Sequence, residues 1–143
     1  MTVHLVKLSV GSDSLDSLCA WVKKRVAANR KAGLGAVHDH VTRMFPRREA
    51  ELLDGGSIYW VIKGVVLARQ KLVGFEKRVG ADGIERCAVL MEPALIPTEP
   101  QPRRAFQGWR YLPVEDAPAD LDNRARRAPP PELSIELAEL GLL

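Results

Sequence analysis

The stretch that decides the fold is Ser57-Ile-Tyr-Trp-Val-Ile-Lys-Gly-Val-Val-Leu-Ala-Arg-Gln-Lys-Leu-Val-Gly-Phe-Glu-Lys77. β-branched and aromatic residues fill Ser57 to Ile62, a composition typical of strands. Lys63-Gly64 can make a tight turn into a second strand, Val65 to Lys77. A helix over Val65 to Leu72 remains an alternative, because short apolar runs fit either period. We therefore expect a central hairpin with Trp60 in the core.

Patterns on both sides of the hairpin predict an α+β fold. His4 to Val10 reads as a first strand, and Gly80-Ala-Asp-Gly83 predicts a turn into a strand over Ile84 to Met91. One apolar helical face predicts a helix over residues 13–31, and its members are Leu15, Leu18, Cys19, Val22 and Val26. We expect an antiparallel, partly curled sheet of about five strands with this one main helix packed on it.

The segments between these elements are harder to assign. Residues 37–41 alternate like a strand, and residues 47–53 can form a short helix. Prolines at positions 93, 97, 100 and 102 predict an extended, proline-rich wrapping segment without a regular internal strand or helix. Residues 103–112 are then expected to return to the sheet.

The C-terminal residues 122–143 differ in composition from the rest of the chain. We predict a single domain over residues 1–121, followed by a linker that ends in three prolines at 129–131. Glu132 to Leu143 predicts a short, acidic amphipathic helix. Such a helix is marginal alone, so we expect it to dock on its own body or on a second copy, which would give a homo-oligomer.

Length and charge limit the function classes. The chain has 143 residues, 46% of them hydrophobic, and no uninterrupted apolar run long enough to span a membrane. The N-terminus lacks a secretion-signal pattern, so we expect a cytoplasmic protein, and Cys19 and Cys87 are expected to be buried thiols. Residues 1–111 carry eighteen Lys and Arg against eleven acids, whereas residues 112–143 carry three against seven. A basic body is compatible with a polyanionic partner.

Three motifs resemble a known family. They are Glu51-Leu-Leu-Asp-Gly-Gly-Ser-Ile-Tyr-Trp-Val-Ile-Lys-Gly64, Arg69-Gln70 and Pro100-Gln-Pro-Arg-Arg-Ala-Phe-Gln-Gly-Trp-Arg-Tyr-Leu112. With these motifs the chain resembles the bacterial family catalogued as domain of unknown function 1489, over roughly Met1 to Leu121. The resemblance implies a stand-alone bacterial protein of about this size, and it transfers no catalytic residue.

A mixture of arginines and aromatic rings suggests binding of RNA or another single-stranded nucleic acid. Arginines neutralise phosphates, while exposed rings stack on unpaired bases. The candidate phosphate ligands are Arg47, Arg48, Arg103, Arg104 and Arg110, and the candidate stacking rings are Tyr59, Phe106, Trp109 and Tyr111. If the two Pro-Arg-Arg segments covered one end of the sheet, four guanidinium groups would meet there. The alternative is that Phe106 and Trp109 anchor the proline-rich segment to the core.

A second hypothesis is a small enzyme that acts on an anionic or phosphorylated substrate. Its pocket would contain Lys63, Arg69, Lys71 and Glu92, with Glu92 as the candidate acid/base. Arg69 and Lys71 lie among apolar neighbours on a strand and therefore need a partner, such as Glu92, or a polar cavity. A third hypothesis is an adaptor without catalysis that binds a partner through the C-terminal helix.

No motif predicts a metal or a cofactor. His38-Asp-His40 places two imidazoles on one side of a strand, but no third or fourth ligand is near in sequence. Gly33-Leu-Gly35 lacks the remaining glycine of the dinucleotide fingerprint, and the phosphate-loop motif is absent. We therefore expect no cofactor and no metal site.

Overall fold

The computed structural model describes residues 1–104 and 106–121. Its strands are β1 (Val3–Leu8), β2 (His38–Thr42), β3 (Ser57–Ile62), β4 (Val65–Val79), β5 (Glu85–Met91), β6 (Ile96–Pro102) and β7 (Trp109–Pro113). Its helices are α1 (Leu15–Lys31), α2 (Glu49–Leu52) and a 3-10 turn (Val114–Asp116). The predicted linker and C-terminal helix over residues 122–143 lie outside the described residues.

The described strands form one mixed sheet that is larger than predicted. Its order is β2-β5-β4-β3-β1-β7, and β6 also pairs with β4. The described residues thus contain seven strands and one main helix, but β1 and β3 are parallel, which corrects the expectation of an antiparallel sheet of about five strands. A parallel pair needs a long crossover. Residues 9–56 supply one that contains α1, β2 and α2.

The central hairpin forms as predicted, and the helical alternative for residues 65–72 is wrong. β4 pairs with β3 through Val65 to Lys71, and its second half pairs with β5. The turn between β3 and β4 needs two left-handed residues, with φ values of 50° at Lys63 and 80° at Gly64. Pairing on both edges holds this segment in the sheet.

The proline-rich segment is extended, as predicted, and it also pairs with β4 as a regular strand, which the prolines did not predict. Pro97 lies opposite Ala68 of β4, and Pro102 lies opposite Val65. Proline is tolerated in an edge strand, where its missing N–H removes no ladder bond that the sheet requires. The outer edge of β6 meets residues 119–121, since the Glu99 N–H donates to the Ala119 carbonyl at 2.8 Å. A local composition rule could not anticipate this pairing partner.

Helix α1 begins at a capping box and buries the predicted face. The Ser14 hydroxyl accepts from the Ser17 N–H at 3.1 Å, while the Ser17 hydroxyl accepts from the Ser14 N–H. The buried residues of the helix are Leu15, Leu18, Val22, Val26 and Asn29, and Cys19 is half-buried. Trp60 is buried in the same cluster, as predicted.

The sheet has two faces that are used below. The helix face carries the cluster shared with α1 and includes Leu5, Ile58, Trp60 and Leu72. The arginine face carries a second cluster of Val6, Tyr59, Val61, Val66 and Leu112, against which Phe106 and Ala117 pack. Arg110 of β7 lies opposite Val6 and therefore on the same side of the sheet. No helix among the described residues combines the length and the hydrophobicity that crossing a membrane requires.

Candidate anion-binding site

Three of the predicted arginines line one open cavity on the arginine face. This cavity, the arginine groove, has a volume of about 660 Å³. Its walls are formed by Gln101, Pro102, Arg103, Arg104, Phe106, Arg110 and Asp116. The prediction that Arg103, Arg104 and Arg110 lie together is thus met, although the first two follow β6 and the third belongs to β7.

Backbone contacts hold these segments in place. The Arg103 N–H donates to the Gly64 carbonyl at 2.8 Å, which ties the end of β6 to the turn between β3 and β4. The chain then crosses to β7, where Arg110 pairs with Val6. The Arg110 guanidinium lies 5.3 Å from the centroid of the Phe106 ring, a cation–π contact.

The groove carries a local excess of positive charge. Within residues 1–104 and 106–121, no carboxylate forms a salt bridge with Arg103, Arg104 or Arg110. Asp116 also lines the groove, so three guanidinium groups face one carboxylate. Planar guanidinium groups bind phosphate and carboxylate oxygens through paired hydrogen bonds. The arrangement can bind an anion without first breaking an internal salt bridge.

The other Pro-Arg-Arg segment lies on the opposite side of β7. The Tyr111 hydroxyl accepts from the Arg47 N–H at 2.8 Å and from the Arg48 N–H at 3.2 Å. The Arg48 guanidinium lies over the Tyr111 ring and pairs with Glu51. Consecutive residues of a strand point to opposite faces, so Tyr111 and Arg110 diverge. The four guanidinium groups of the two segments therefore do not form one cluster.

Most of the candidate stacking rings are not free to stack. Tyr59 is 4% exposed and Trp109 is 5% exposed. The Trp109 indole donates to the Met44 carbonyl at 3.0 Å, so this ring anchors the chain to the core, as the alternative proposed. Tyr111 lies beneath Arg48, and of the four rings only Phe106 lines the groove, where the Arg110 guanidinium covers one face of this ring.

Phe45 is an exposed ring that was not among the predicted stacking residues. This ring is 42% exposed, and the adjacent Met44 is 45% exposed. A Cβ atom on Gly108 would lie 3.6 Å from the Met44 methyl carbon, so this loop adjoins the segment that carries Phe106. The available signal was Arg43-Met-Phe-Pro-Arg-Arg48, where a ring lies between basic residues outside any periodic element.

The proposed enzyme pocket is assembled differently from the prediction. Arg69 binds both carboxylate oxygens of Asp120, at 2.7 and 2.8 Å, rather than Glu92. Glu92 is exposed, and it bonds to β4 through its backbone: its N–H donates to the Lys71 carbonyl, and its carbonyl accepts from the Gln70 side chain. Lys63 is exposed on the turn after β3. Arg69 and Lys71 do share a smaller cavity, in which His4 and Asp120 are found instead of Glu92.

The His38-Asp-His40 stretch is part of the core packing. Burial lowers the pKa of His38 and lowers that of His40 to about 4, with the positive charge of Lys7 also acting on His40. The Asp39 carboxylate accepts from Arg25 at 2.6 Å and from Arg78 at 2.5 Å. In the described part of the chain, no three His, Cys, Asp or Glu side chains are grouped so that they could hold a metal ion.

Comparison with known proteins identifies the family. Neither the curated proteins nor the solved structures give a match. The family model described as "Protein of unknown function (DUF1489)" matches residues 5–143, which extends beyond the span of roughly Met1 to Leu121 inferred from the motifs. The chain therefore belongs to the DUF1489 family.

Proposed function

We propose that the protein binds single-stranded nucleic acid, with phosphates in the arginine groove and bases against Phe106 and Phe45. The observation that carries this proposal is the convergence of Arg103, Arg104 and Arg110 in one open groove without salt bridges to any described carboxylate. Free guanidinium groups beside an apolar ring are the combination that single-strand binding requires.

Met44 lies beside the segment 106–110, since its carbonyl accepts from the Trp109 indole at 3.0 Å and a Cβ atom added to Gly108 would lie 3.6 Å from its methyl carbon. These contacts bring the exposed Phe45 loop next to the segment that carries Phe106 and Arg110. Arg43 and Arg47 on that loop are exposed as well. Because this loop lies on the Tyr111 side of β7, a ligand that contacts both the groove and Phe45 has to pass around β7, which is an edge strand of the sheet, and an extended strand can do so whereas a small metabolite cannot.

The salt dependence of binding tests this proposal. A fluorescent single-stranded RNA of mixed sequence would be titrated with protein at several salt concentrations, with anisotropy as the readout. For single strands, the logarithm of the affinity falls against the logarithm of salt with a slope of about −0.7 per neutralised phosphate. Arg103→Ala combined with Arg104→Ala should therefore make the slope shallower by up to about 1.4.

A charge-matched variant separates site binding from general attraction. Lys23 and Lys31 are exposed on α1, so Lys23→Ala with Lys31→Ala removes the same charge from the other side of the molecule. This control should keep nearly the whole slope. Absence of salt-sensitive binding by the unmodified protein, or an equal loss in the control, would overturn the proposal.

A further inference from the structure

A second cavity lies on the arginine face, at the end of the sheet where β1 and β3 begin. Its volume is about 320 Å³. It is lined by His4, Gly55, Tyr59, Arg69, Lys71, Val114 and residues 117–120. Three adjacent strands thus contribute polar side chains, His4 from β1, Tyr59 from β3, and Arg69 and Lys71 from β4.

Two of these polar side chains are buried and have unused donors. His4 is 9% exposed and Tyr59 is 4% exposed. The Nδ1 atom of His4 accepts from the Ser57 N–H at 3.0 Å, so the proton of the neutral ring lies on Nε2. Among the described residues, neither His4 Nε2 nor the Tyr59 hydroxyl has a hydrogen-bond partner.

Both donor atoms open onto the cavity rather than into the packed core, so they are available to water or to a ligand. The cavity has room for several waters or for a small ligand, because one water occupies about 30 Å³ in the liquid. The cavity is roughly ten times larger. A ligand that accepts several hydrogen bonds would satisfy both donors.

The electrostatics of the cavity favour an anion. Lys71 is exposed and forms no salt bridge with any described residue. Arg69 is oriented by Asp120 and by the Ser57 hydroxyl, to which it donates at 2.8 Å. Burial and the charge of Arg69 lower the pKa of His4, and burial raises the pKa of Tyr59. Both rings are therefore neutral donors near pH 7.

We propose that this cavity binds a phosphate monoester and, if the proposed function holds, the terminal phosphate of the bound strand. A monoester presents three terminal oxygens, which matches the three donors His4 Nε2, Tyr59 Oη and Lys71 Nζ. An internal phosphodiester or a carboxylate presents only two. The cavity and the arginine groove lie on one face and share the segment 114–120 as a wall.

Binding of matched oligonucleotides tests the inference. Three single-stranded RNAs of one sequence would carry a 5′-phosphate, a 3′-phosphate or hydroxyls at both ends. A ribonucleoside 5′-monophosphate, inorganic phosphate and acetate serve as small probes. One phosphorylated end should bind about tenfold tighter than the hydroxyl ends, because hydrogen bonds to a charged group are the stronger ones.

Two conservative variants locate the effect. Tyr59→Phe removes only the hydroxyl, and Lys71→Gln removes an exposed charge, so neither should disturb the fold. Each should reduce the tenfold preference to about twofold or less. Lys23→Ala removes an equal charge from α1 and should leave the preference unchanged.

The outcomes distinguish this inference from the proposed function. Equal binding of all three RNAs, a preference that survives in both variants, or tighter binding of acetate than of phosphate would overturn the phosphate site while the strand-binding surface stands. If no RNA binds but the monophosphate or inorganic phosphate does, with a loss in Lys71→Gln, the site stands and strand binding fails. Absence of binding by every probe overturns both.

Discussion

The two faces of the sheet differ in how far their polar side chains are bonded to other protein groups. On the helix face, the Gln70 side-chain oxygen accepts from the Trp60 indole at 2.9 Å and lies 3.1 Å from His38 Nδ1. On the arginine face, the groove arginines have no salt bridge to a described carboxylate, and His4 keeps an unused donor. Polar groups bonded to one another inside a packed core stabilise a fold, whereas polar groups that border an open cavity are available to a ligand. We therefore assign stability to one face and binding to the other.

The largest expected effect comes from Trp60 on the helix face. Trp60→Ala should lower the free energy of unfolding by about 3–5 kcal/mol, because it leaves a cavity and breaks the bond to Gln70. Phe45→Ala, at an exposed ring, should change it by less than about 0.5 kcal/mol. Urea denaturation measures both. A soluble Trp60→Ala variant with unchanged stability would remove Trp60 from the core.

A pH effect is expected next; two of the three histidines with a lowered pKa, His38 and His40, lie on the helix face, and the third is His4 on the arginine face. Burial lowers the pKa of His40 to about 4, and it also lowers the pKa of His38. The unfolded chain therefore binds more protons than the folded one once the pH falls below about 6.5. The contribution of each histidine to the free energy of unfolding is fully present above that pH. Below it, the free energy of unfolding should fall by up to about 1.4 kcal/mol per pH unit for each histidine, and for His40 this fall continues down to about pH 4.

The geometry at His38 gives a reason for this sensitivity. An amide oxygen only accepts, so His38 Nδ1 donates to Gln70 and the proton is absent from Nε2. Nε2 is buried without a partner among the described residues, so protonation would bury an unpaired charge. Denaturation at pH 7.5, 6, 5 and 4.5 measures the slope, which His40→Gln should flatten. Equal stability at pH 7.5 and 5 would contradict the burial of these rings.

Local patterns were sufficient for much of the helix face. The apolar spacing from Leu15 to Val26 and the composition of Ser57 to Ile62 each specify an element without reference to distant residues. They also predicted that Trp60 is buried. The parallel pairing of β1 with β3 could not be predicted from local sequence, because it depends on a crossover of many residues rather than on the composition of either strand.

The arginine face depends more on distant contacts. Arg69 pairs with Asp120, which is 51 residues away, and β6 forms despite its prolines because β4 and residues 119–121 lie beside it. The clustering of Arg103, Arg104 and Arg110 could be predicted because these residues are close in sequence. Local patterns could not predict that Tyr59 is buried or that Phe45 is exposed, because burial of a ring depends on which distant segments cover it.

The smallest expected effect concerns the stability of the groove. Arg103→Ala with Arg104→Ala should change the free energy of unfolding by less than about 0.5 kcal/mol per residue, because neither side chain is in a salt bridge with a described residue. Thermal and urea denaturation measure this. A loss of 2 kcal/mol or more, by the same scale, would mean that these arginines support the fold. The contrast between the two faces would then fail.

The most direct test of the binding face is a map of RNA contacts by NMR. A ¹⁵N-labelled protein would be titrated with single-stranded RNA at low salt, and backbone amide and arginine side-chain signals would be followed. We predict shifts at residues 103–110 and, at the β7 edge, at 43–45, with little change at the exposed Lys23 and Lys24 of α1. Shifts confined to α1, or none at saturating RNA, would contradict the assignment of binding to the arginine face.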